Sequence, residues 1–146
     1  MTECADCRVL LVDDEVDFVE VLAERLEARE LDVEKAFSGE EALAAAEKKV
    51  FDAIVLDVAM PGMNGIETLE KLLEINPDLQ VILLTGHATL EQAAAAIRIG
   101  ALDLLEKPAD IDTLVSKIEL AATRRWSQEE KRLEDKIADI MRKKGW

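Results

Sequence analysis

AIVLD, residues 53–57, is an apolar run of strand length that ends in an acidic residue. A strand that is apolar throughout is typical of parallel sheets, whose strands are buried on both faces. Open sheets of this kind bind ligands at the carboxyl ends of their strands. The run therefore predicts an α/β fold in which Asp57 lies at a ligand-binding edge.

Four further segments of strand length alternate with longer stretches of helical period, which predicts five βα units. The predicted strands are Arg8 to Val12, Asp32 to Ala36, Ala53 to Asp57, Val81 to Thr85 and Leu102 to Glu106. The second strand is short and charged, as an edge strand should be to resist pairing with other chains. The other four are more apolar and are predicted to be mostly central.

Apolar side chains at helical spacing predict helices that cover this sheet. They are Val16, Val19, Leu22, Ala23 and Leu26 in the first helix, Ala42, Leu43 and Ala46 in the second, and Ile66, Leu69, Leu72 and Leu73 in the third. Pro77 predicts that the third helix ends at Asn76, because the residue before proline avoids the α region. Thr89 and Gln92 predict a capping box that opens the fourth helix, and Gly100 predicts its end.

Length and charge limit the class of protein. A chain of 146 residues suits one domain with a sizeable core, and a net charge of −14 argues against binding to nucleic acid phosphates. No uncharged apolar run approaches the roughly 20 residues needed to span a bilayer, and residues 1–7 lack the features of a signal peptide. We expect a cytosolic protein that binds neither nucleic acid nor membrane.

Cys4 and Cys7 form a Cys-x-x-Cys pair just before the first strand. Such pairs occur in zinc sites and redox motifs, but no second pair exists here and the only histidine is the distant His87. A redox pair also normally follows a strand and opens a helix. We therefore predict two reduced cysteines, with a metal-bridged dimer as the alternative.

Charged or hydroxyl side chains stand at the ends of four predicted strands. They are Asp13 and Asp14, Asp57, Thr85, and Lys107. Singly, each has a plain structural explanation as a helix cap, a strand end or a surface charge. Their joint placement favours a functional site, because chance would seldom put such residues at four strand ends.

Acids placed this close raise one another's pKa unless a cation joins them, which implies a divalent metal. Oxygen-only ligands suit Mg²⁺, which is usually held by one or two carboxylates, waters and a phosphate. An aspartate can accept a phosphoryl group as an acyl phosphate when a metal and cationic groups neutralise the phosphoryl oxygens. Asp57, Thr85 and Lys107 have the chemistry for this step.

Four segments carry a family resemblance: VLLVDDE (9–15), LDVAMPGMNG (56–65), LTGHA (84–88) and LEKP (105–108). Each lies at the expected place in the βα order, and together they resemble the response-regulator receiver domain of two-component signalling. The resemblance covers about residues 8–124. It implies a five-stranded parallel sheet of the flavodoxin-like (βα)5 type, with strand order 2-1-3-4-5.

The resemblance also assigns roles in phosphoryl chemistry. It implies that Asp57 is the phosphoacceptor and that Thr85 and Lys107 bind the phosphoryl oxygens. Gly86 suits this role because a small residue leaves an open path for a phosphodonor. The pair Lys107-Pro108 resembles the family's cis peptide, which would aim Lys107 inward.

A Mg²⁺ site follows from the same resemblance. Asp14 and Asp57 would ligate the metal directly together with the backbone carbonyl of Ala59, and Asp13 would act mainly through metal-bound water. The turn at residues 61–62 and the pair at residues 64–65 would shape the loop after Asp57 as scaffold rather than as chemistry.

Two departures from the family pattern limit what transfers. Leu104 stands three residues before Lys107, where the family usually carries Tyr or Phe as a rotameric switch, and leucine cannot copy that aromatic movement. Ala59 and His87 occupy positions that tune hydrolysis of the acyl phosphate in this family. Ala59 cannot position a water, and His87 is predicted to be a solvated loop residue rather than a catalyst.

The C-terminal segment continues beyond what a receiver needs. Its apolar residues share one helical face: Trp126, Leu133, Ile137 and Ile140. We predict a receiver domain over residues 6–124 and a helical extension over residues 125–146, which acts as a linker or as a homodimerisation helix. Glu130 and Lys144 interrupt the apolar seam, so packing of these residues back onto the receiver is the alternative.

The implied function is that of a phosphoacceptor. A sensor histidine kinase or a phosphotransfer protein would phosphorylate Asp57, and a downstream protein would bind the face built by the fourth helix, fifth strand and fifth helix. The protein would be a signalling domain rather than an enzyme, limited to self-catalysed phosphotransfer and slow autodephosphorylation. Residues 84–89 are similar to receivers of σ54-dependent transcription activators, so a fragment of such a regulator and a stand-alone receiver both stay open.

Two alternatives come from other classes. An Asp-nucleophile phosphohydrolase of the haloacid-dehalogenase type would need a general acid two residues after Asp57, and Ala59 has no proton to give. A pseudo-receiver that docks partners without phosphate would usually lack part of the acid, Thr and Lys set, which is complete here.

Overall fold

The computed structural model describes residues 7–86 and 89–144. Its strands are β1 (Arg8–Val12), β2 (Asp32–Ala36), β3 (Ala53–Asp57), β4 (Val81–Thr85) and β5 (Asp103–Glu106). Its helices are α1 (Val16–Glu27), α2 (Gly39–Lys48), α3 (Gly65–Ile75), α4 (Leu90–Ile99) and α5 (Ile111–Lys143). The alternation is as predicted, and the observed strand bounds lie within one residue of the predicted ones.

The strands form one parallel sheet in the order β2-β1-β3-β4-β5. This order confirms the predicted fold class and the edge position of β2. β1, β3 and β4 are central, as predicted for most of the apolar strands, and β5 occupies the opposite edge, as the expected strand order implies. Its side chains are only half-buried or exposed, because β4 is its single neighbour in the sheet.

Each face of the sheet has its own hydrophobic core, because successive side chains of a strand point to opposite faces. On one face the sheet packs against α2, α3 and α4 through residues that include Leu10, Ile54, Leu83, Ala42, Leu69, Leu72 and Ala96. On the other it packs against α1 and α5 through residues that include Leu11, Val55, Leu84, Val19, Leu26, Leu114 and Ile118. Polar chemistry is therefore left to the strand ends.

The predicted helix boundaries are confirmed where they were specified. α3 ends at its cap Asn76, and the capping box of α4 has both hydrogen bonds between Thr89 and Gln92. Gly100 follows α4 with a φ of 129°, in the region that favours glycine. The apolar stripe of α1 is less buried than predicted at its start, since Val16 is 52% exposed.

Helix α5 continues without a break for 33 residues, and its first half supplies buried residues to the core. The division predicted between residues 124 and 125 lies inside this helix and stays a prediction. Just beyond that point, the Nε of Arg125 and the Nε1 of Trp126 donate to the carboxylate of Asp52, at 2.9 and 3.1 Å. Arg132 pairs with Asp78 at 3.0 Å. These contacts fasten the helix to the loops before β3 and β4.

Cys7 lies directly before β1 and is completely buried. It is disulfide-bonded, so the prediction of a reduced thiol is wrong for this residue. Cys4 and His87 lie outside the described residues. Within residues 7–86 and 89–144, no helix combines the length and the apolar character that crossing a membrane requires.

Candidate functional site

The polar strand ends predicted from the sequence meet at one edge of the sheet. Asp57 is paired with Leu84, and Thr85 with Glu106, so β3, β4 and β5 end side by side. Directly after β1, the N–H of Asp13 donates to the carbonyl of residue 36 at 3.2 Å, which turns the acidic pair toward the same edge. Parallel pairing thus gathers residues that are far apart in the chain.

Three carboxylates form the centre of this edge. Asp13, Asp14 and Asp57 each have an oxygen within 4.8 Å of the others, and Asp13 and Asp57 are only 4% exposed. Asp14 is exposed. Within residues 7–86 and 89–144, no histidine or cysteine joins this carboxylate cluster, and oxygen ligands match the preference of hard divalent cations. The arrangement can therefore hold a metal ion such as Mg²⁺.

Lys107 supplies positive charge to these acids. Its Nζ lies 2.6 Å from Asp13, 3.5 Å from Asp57 and 3.7 Å from Glu15. Burial lowers the pKa of Lys107, but the hydrogen bond to Asp13 and the surrounding negative charge outweigh it, so the net shift is upward. The ammonium is therefore held in its charged form.

The carboxyl group of Asp57 is raised in pKa to about 6. Burial is the largest cause and the charge of Asp13 is the next, while Lys107 and a hydrogen bond from the backbone N–H of Ala59 act in the opposite direction. One ammonium among several acids does not compensate the negative charge. A positive charge added near Asp57 would therefore stabilise its carboxylate form.

An open cleft of about 300 Å³ lies over Asp57. Its walls include Ala59, Thr85, Gly86 and Lys107. A Cβ on Gly86 would meet nothing within 4 Å, so this side of the cleft is uncrowded. Thr85 is buried at 3% exposure. The cleft therefore leaves space for a small molecule beside Asp57.

The loop after Asp57 is held by close backbone packing at Gly65. The N–H of Gly65 donates to the carbonyl of Val58 at 2.8 Å. A Cβ on Gly65 would lie 2.3 Å from the carbonyl oxygen of Asp57, which no real side chain tolerates. Asn64 caps α3 from the same loop, and Gly62 has a φ of 75°. These residues shape the loop, in agreement with the scaffold role expected for them.

The structure brings the predicted site residues together. Lys107 pairs with Asp13 and Asp57, and an oxygen of Asp14 lies within 4.8 Å of oxygens of those two acids. Ala59 and Thr85 line the cleft. The peptide between Lys107 and Pro108 is cis, as expected from the resemblance. The chemical roles of the predicted site residues stay predictions.

Two neighbours of Lys107 were missed by sequence reasoning. Glu15 lies 3.7 Å from its Nζ, and the ring centroid of Phe18 lies 4.2 Å from it. Glu15 directly follows the acidic pair, which was a usable signal. Phe18 looked like an ordinary helix residue, although aromatic residues make up only 3% of the chain.

Comparison with known proteins gives a consistent picture. Residues 9–119 match the response regulator receiver domain family. The transcriptional regulatory protein ZraR of Salmonella typhimurium is 39% identical over 113 residues, which are 77% of this chain and 26% of that protein. The chain therefore spans about a quarter of the length of this curated relative.

Solved structures agree with the sequence comparison. A CheY-like response regulator receiver domain protein from Methanospirillum hungatei has a TM-score of 0.80 at 30% identity, covering 84% of this chain and 98% of that one. A response regulator protein from Burkholderia pseudomallei, solved with a phosphorylated aspartic acid, a calcium ion and citrate, has a TM-score of 0.74 at 28% identity. That match covers 96% of this chain and 86% of the other.

Proposed function

This chain belongs to the response regulator receiver domain family, and we propose that its Asp57 carboxylate accepts a phosphoryl group and thereby switches a partner-binding surface. The observation that carries the proposal is the placement of Asp57. It is a buried carboxylate beside Lys107 and two further acids, and it opens onto a cleft of about 300 Å³. The phosphorylated aspartic acid of the Burkholderia pseudomallei relative supports the same chemistry.

The proposed reaction moves one phosphoryl group. A carboxylate oxygen of Asp57 attacks the phosphorus atom of the donor, and the bond from phosphorus to the donor atom breaks with its electron pair leaving on the donor. An acyl phosphate remains on Asp57. Thr85 would donate its hydroxyl to a phosphoryl oxygen, and Lys107 would exchange its bond to Asp13 for another phosphoryl oxygen.

We propose that Asp13, Asp14 and Asp57, together with the backbone carbonyl of Ala59, hold Mg²⁺. The carboxylate oxygens within 4.8 Å of one another support this assignment, and Asp13 would act mainly through a metal-bound water. When bound, the ion would neutralise charge on the phosphoryl oxygens. Burial and then the charge of Asp13 raise the pKa of Asp57, and a bound cation would favour its carboxylate form.

The domain is proposed to signal rather than to turn over substrate. Ala59 carries only a methyl group two residues after Asp57, so it neither gives a proton nor orients a water for hydrolysis. We therefore expect self-catalysed phosphotransfer and slow autodephosphorylation. The phosphodonor would be a sensor histidine kinase or a phosphotransfer protein, and the cytosolic location stays a prediction of the sequence.

The downstream partner is proposed to bind the surface formed by α4, β5 and α5. Leu104 of β5 is half-buried and packs against the core cluster that includes Ala96 of α4. Movement of the Thr85 hydroxyl toward a phosphoryl group would disturb this contact region, because β4 and β5 are paired there. Leu104 would respond by repacking rather than by an aromatic rotation.

The end of α5 is proposed to act as a homodimerisation helix. Leu133, Ile137 and Ile140 are 58%, 48% and 44% exposed along one face. A second copy would bury this stripe in a helix pair. Transcription regulators among the relatives, such as ZraR, support a regulatory output for the whole protein.

The test is intact mass after incubation with Mg²⁺ and acetyl phosphate. Wild-type protein should gain one labile phosphoryl adduct, and Asp57→Asn protein and a sample without Mg²⁺ should gain none. Beryllofluoride binding serves as a second readout. If wild-type protein neither forms the adduct nor binds beryllofluoride, the proposal is wrong and phosphate-independent docking replaces it.

A further inference from the structure

Phe18 makes an unusual contact with the ammonium of Lys107. The Nζ atom lies 4.2 Å from the centroid of the Phe18 ring. This distance is well inside the roughly 6 Å over which the electron-rich face of an aromatic ring attracts a cation. Phe18 lies in the first turns of α1, and it also lines a small cavity beside Asp13 and Asp57.

The other described neighbours of the Lys107 ammonium are hydrogen-bond acceptors. They are the carboxylates of Asp13, Asp57 and Glu15, at 2.6, 3.5 and 3.7 Å. The shortest of these bonds goes to Asp13 rather than to the proposed phosphoacceptor Asp57. The ammonium has three N–H donors, so one of them can turn to a phosphoryl oxygen when it arrives, provided that Nζ stays within reach of Asp57.

We propose that Phe18 positions Lys107 for phosphoryl binding. The ring attracts the ammonium without accepting a directed hydrogen bond, so it holds Nζ near Asp57 in both states and leaves the N–H groups able to move from Asp13 to a phosphoryl oxygen. Phe18 is thus a positioning residue that acts through Lys107. The inference rests on the proposed phosphorylation of Asp57.

The contact predicts a measurable loss when the charge distribution of the ring changes at nearly constant shape. Replacement of Phe18 by mono-, di- and trifluorophenylalanine through site-specific incorporation weakens the negative ring face in steps. With Mg²⁺ present, the rate of phosphorylation by acetyl phosphate and the affinity for beryllofluoride should fall in steps. We expect a loss of about 3- to 10-fold at the trifluoro ring.

Phe37 offers the matched control. It is a partly buried phenylalanine that packs against the same core cluster as Phe18, and the structure places no described cation over its ring. The fluorine series at Phe37 should leave both the phosphorylation rate and the beryllofluoride affinity unchanged. The thermal midpoint should stay within a few degrees along both series, which separates a positioning role from a packing role.

The Phe18→Leu variant adds a second comparison, because it removes the ring and keeps an apolar side chain. It should lose at least as much rate and affinity as the trifluoro protein. If the wild type is phosphorylated and the fluorine series at Phe18 changes neither the rate nor the affinity, the inference is overturned and the proposed function stays intact. A wild type that takes neither phosphate nor beryllofluoride overturns both.

Discussion

Strand β3 is bounded by two buried aspartates in opposite electrostatic situations. Asp52 lies directly before the strand and Asp57 ends it, and they are 6% and 4% exposed. The carboxylate of Asp52 accepts hydrogen bonds from the backbone N–H of Arg8 at 2.8 Å and from Arg125 and Trp126. Asp57 shares its surroundings with other acids and its pKa rises to about 6.

The difference separates a structural carboxylate, Asp52, from the proposed phosphoacceptor, Asp57. At Asp52, donors from β1 and α5 match the charge, and the result is a joint between the sheet and the C-terminal helix. At Asp57, the positive charge of Lys107 is shared with Asp13 and Glu15, and the result is a site that favours an incoming cation. Burial alone therefore does not mark an acid as a candidate for chemistry, whereas burial together with uncompensated charge does.

The largest effect is expected at Asp52, directly before β3. Asp52→Ala should lower the free energy of unfolding by about 3 kcal/mol, because it leaves the Arg125 guanidinium, only 14% exposed, without its buried partner. Chemical denaturation measures the loss. Glu129→Ala removes the other, 53% exposed acid that pairs with Arg125 and should cost less than about 1 kcal/mol. Equal losses for the two variants would refute the assignment of Asp52 as the joint.

Removal of the negative charge of Asp57, at the other end of β3, should instead raise the free energy of unfolding. A folded pKa of about 6, above the ordinary 3.8, means that the Asp57 carboxylate costs stability wherever it is ionised in the folded protein. Asp57→Asn should therefore be more stable than wild type, by no more than about 3 kcal/mol, at pH 7.5 without metal. The advantage should shrink as pH falls through 6 and vanish near pH 4.

Denaturation of both proteins across this pH range, in the presence of a chelator, measures that difference. An advantage that stays constant from pH 7.5 to pH 4 would show that charge is not its origin. Thermal stability at a single pH would not distinguish the two explanations.

Added Mg²⁺ should stabilise a variant of Asp52 and a variant of Asp57 to different extents. A ligand that binds only the folded state at ten times its dissociation constant stabilises it by about 1.4 kcal/mol. Wild type and Asp52→Asn should both gain this stability, and Asp57→Asn should gain much less. Thermal melts with and without Mg²⁺ measure the gain, and an Asp57→Asn protein that gains as much as wild type would place the metal elsewhere.

The smallest effect concerns one donor of the structural joint. Trp126→Phe removes the indole N–H that reaches Asp52 at 3.1 Å and keeps Arg125 and the Arg8 N–H in place. The loss of one hydrogen bond should cost about 1 kcal/mol of unfolding free energy. Denaturant unfolding followed by circular dichroism measures it. A loss as large as that of Asp52→Ala would mean that the indole, rather than the guanidinium, holds the joint.

Much of the fold was predictable from local patterns. The strands were located within one residue because apolar runs of strand length alternate with helical periods, and the caps at Asn76, Thr89 and Gly100 depend on short-range chemistry. The edge position of β5 followed from the strand order that the resemblance implies, and not from the apolar sequence of the strand itself. Helices cover both faces of such a sheet, so a strand at its edge can be as apolar as one at its centre.

The candidate site was predictable as a set of residues and not as a set of contacts. Strand ends in a parallel sheet share one edge, so Asp13, Asp57, Thr85 and Lys107 were expected to converge. The preference of Lys107 for Asp13 over Asp57, and the ring of Phe18 beside it, were not. Both contacts of Lys107 depend on how α1 and the loop after β5 are placed relative to the sheet.

By itself, the sequence determined the order of elements, the class of sheet and the identity of the acids, hydroxyl and amine at its carboxyl edge. Each of these follows from periodicity and strand-end position, which are local properties. Only the tertiary structure decided that Lys107 meets Asp13 across 94 residues and that Arg125 meets Asp52 across 73. Hydrogen bonds tolerate only a few tenths of an ångström, and element packing sets distances of that order.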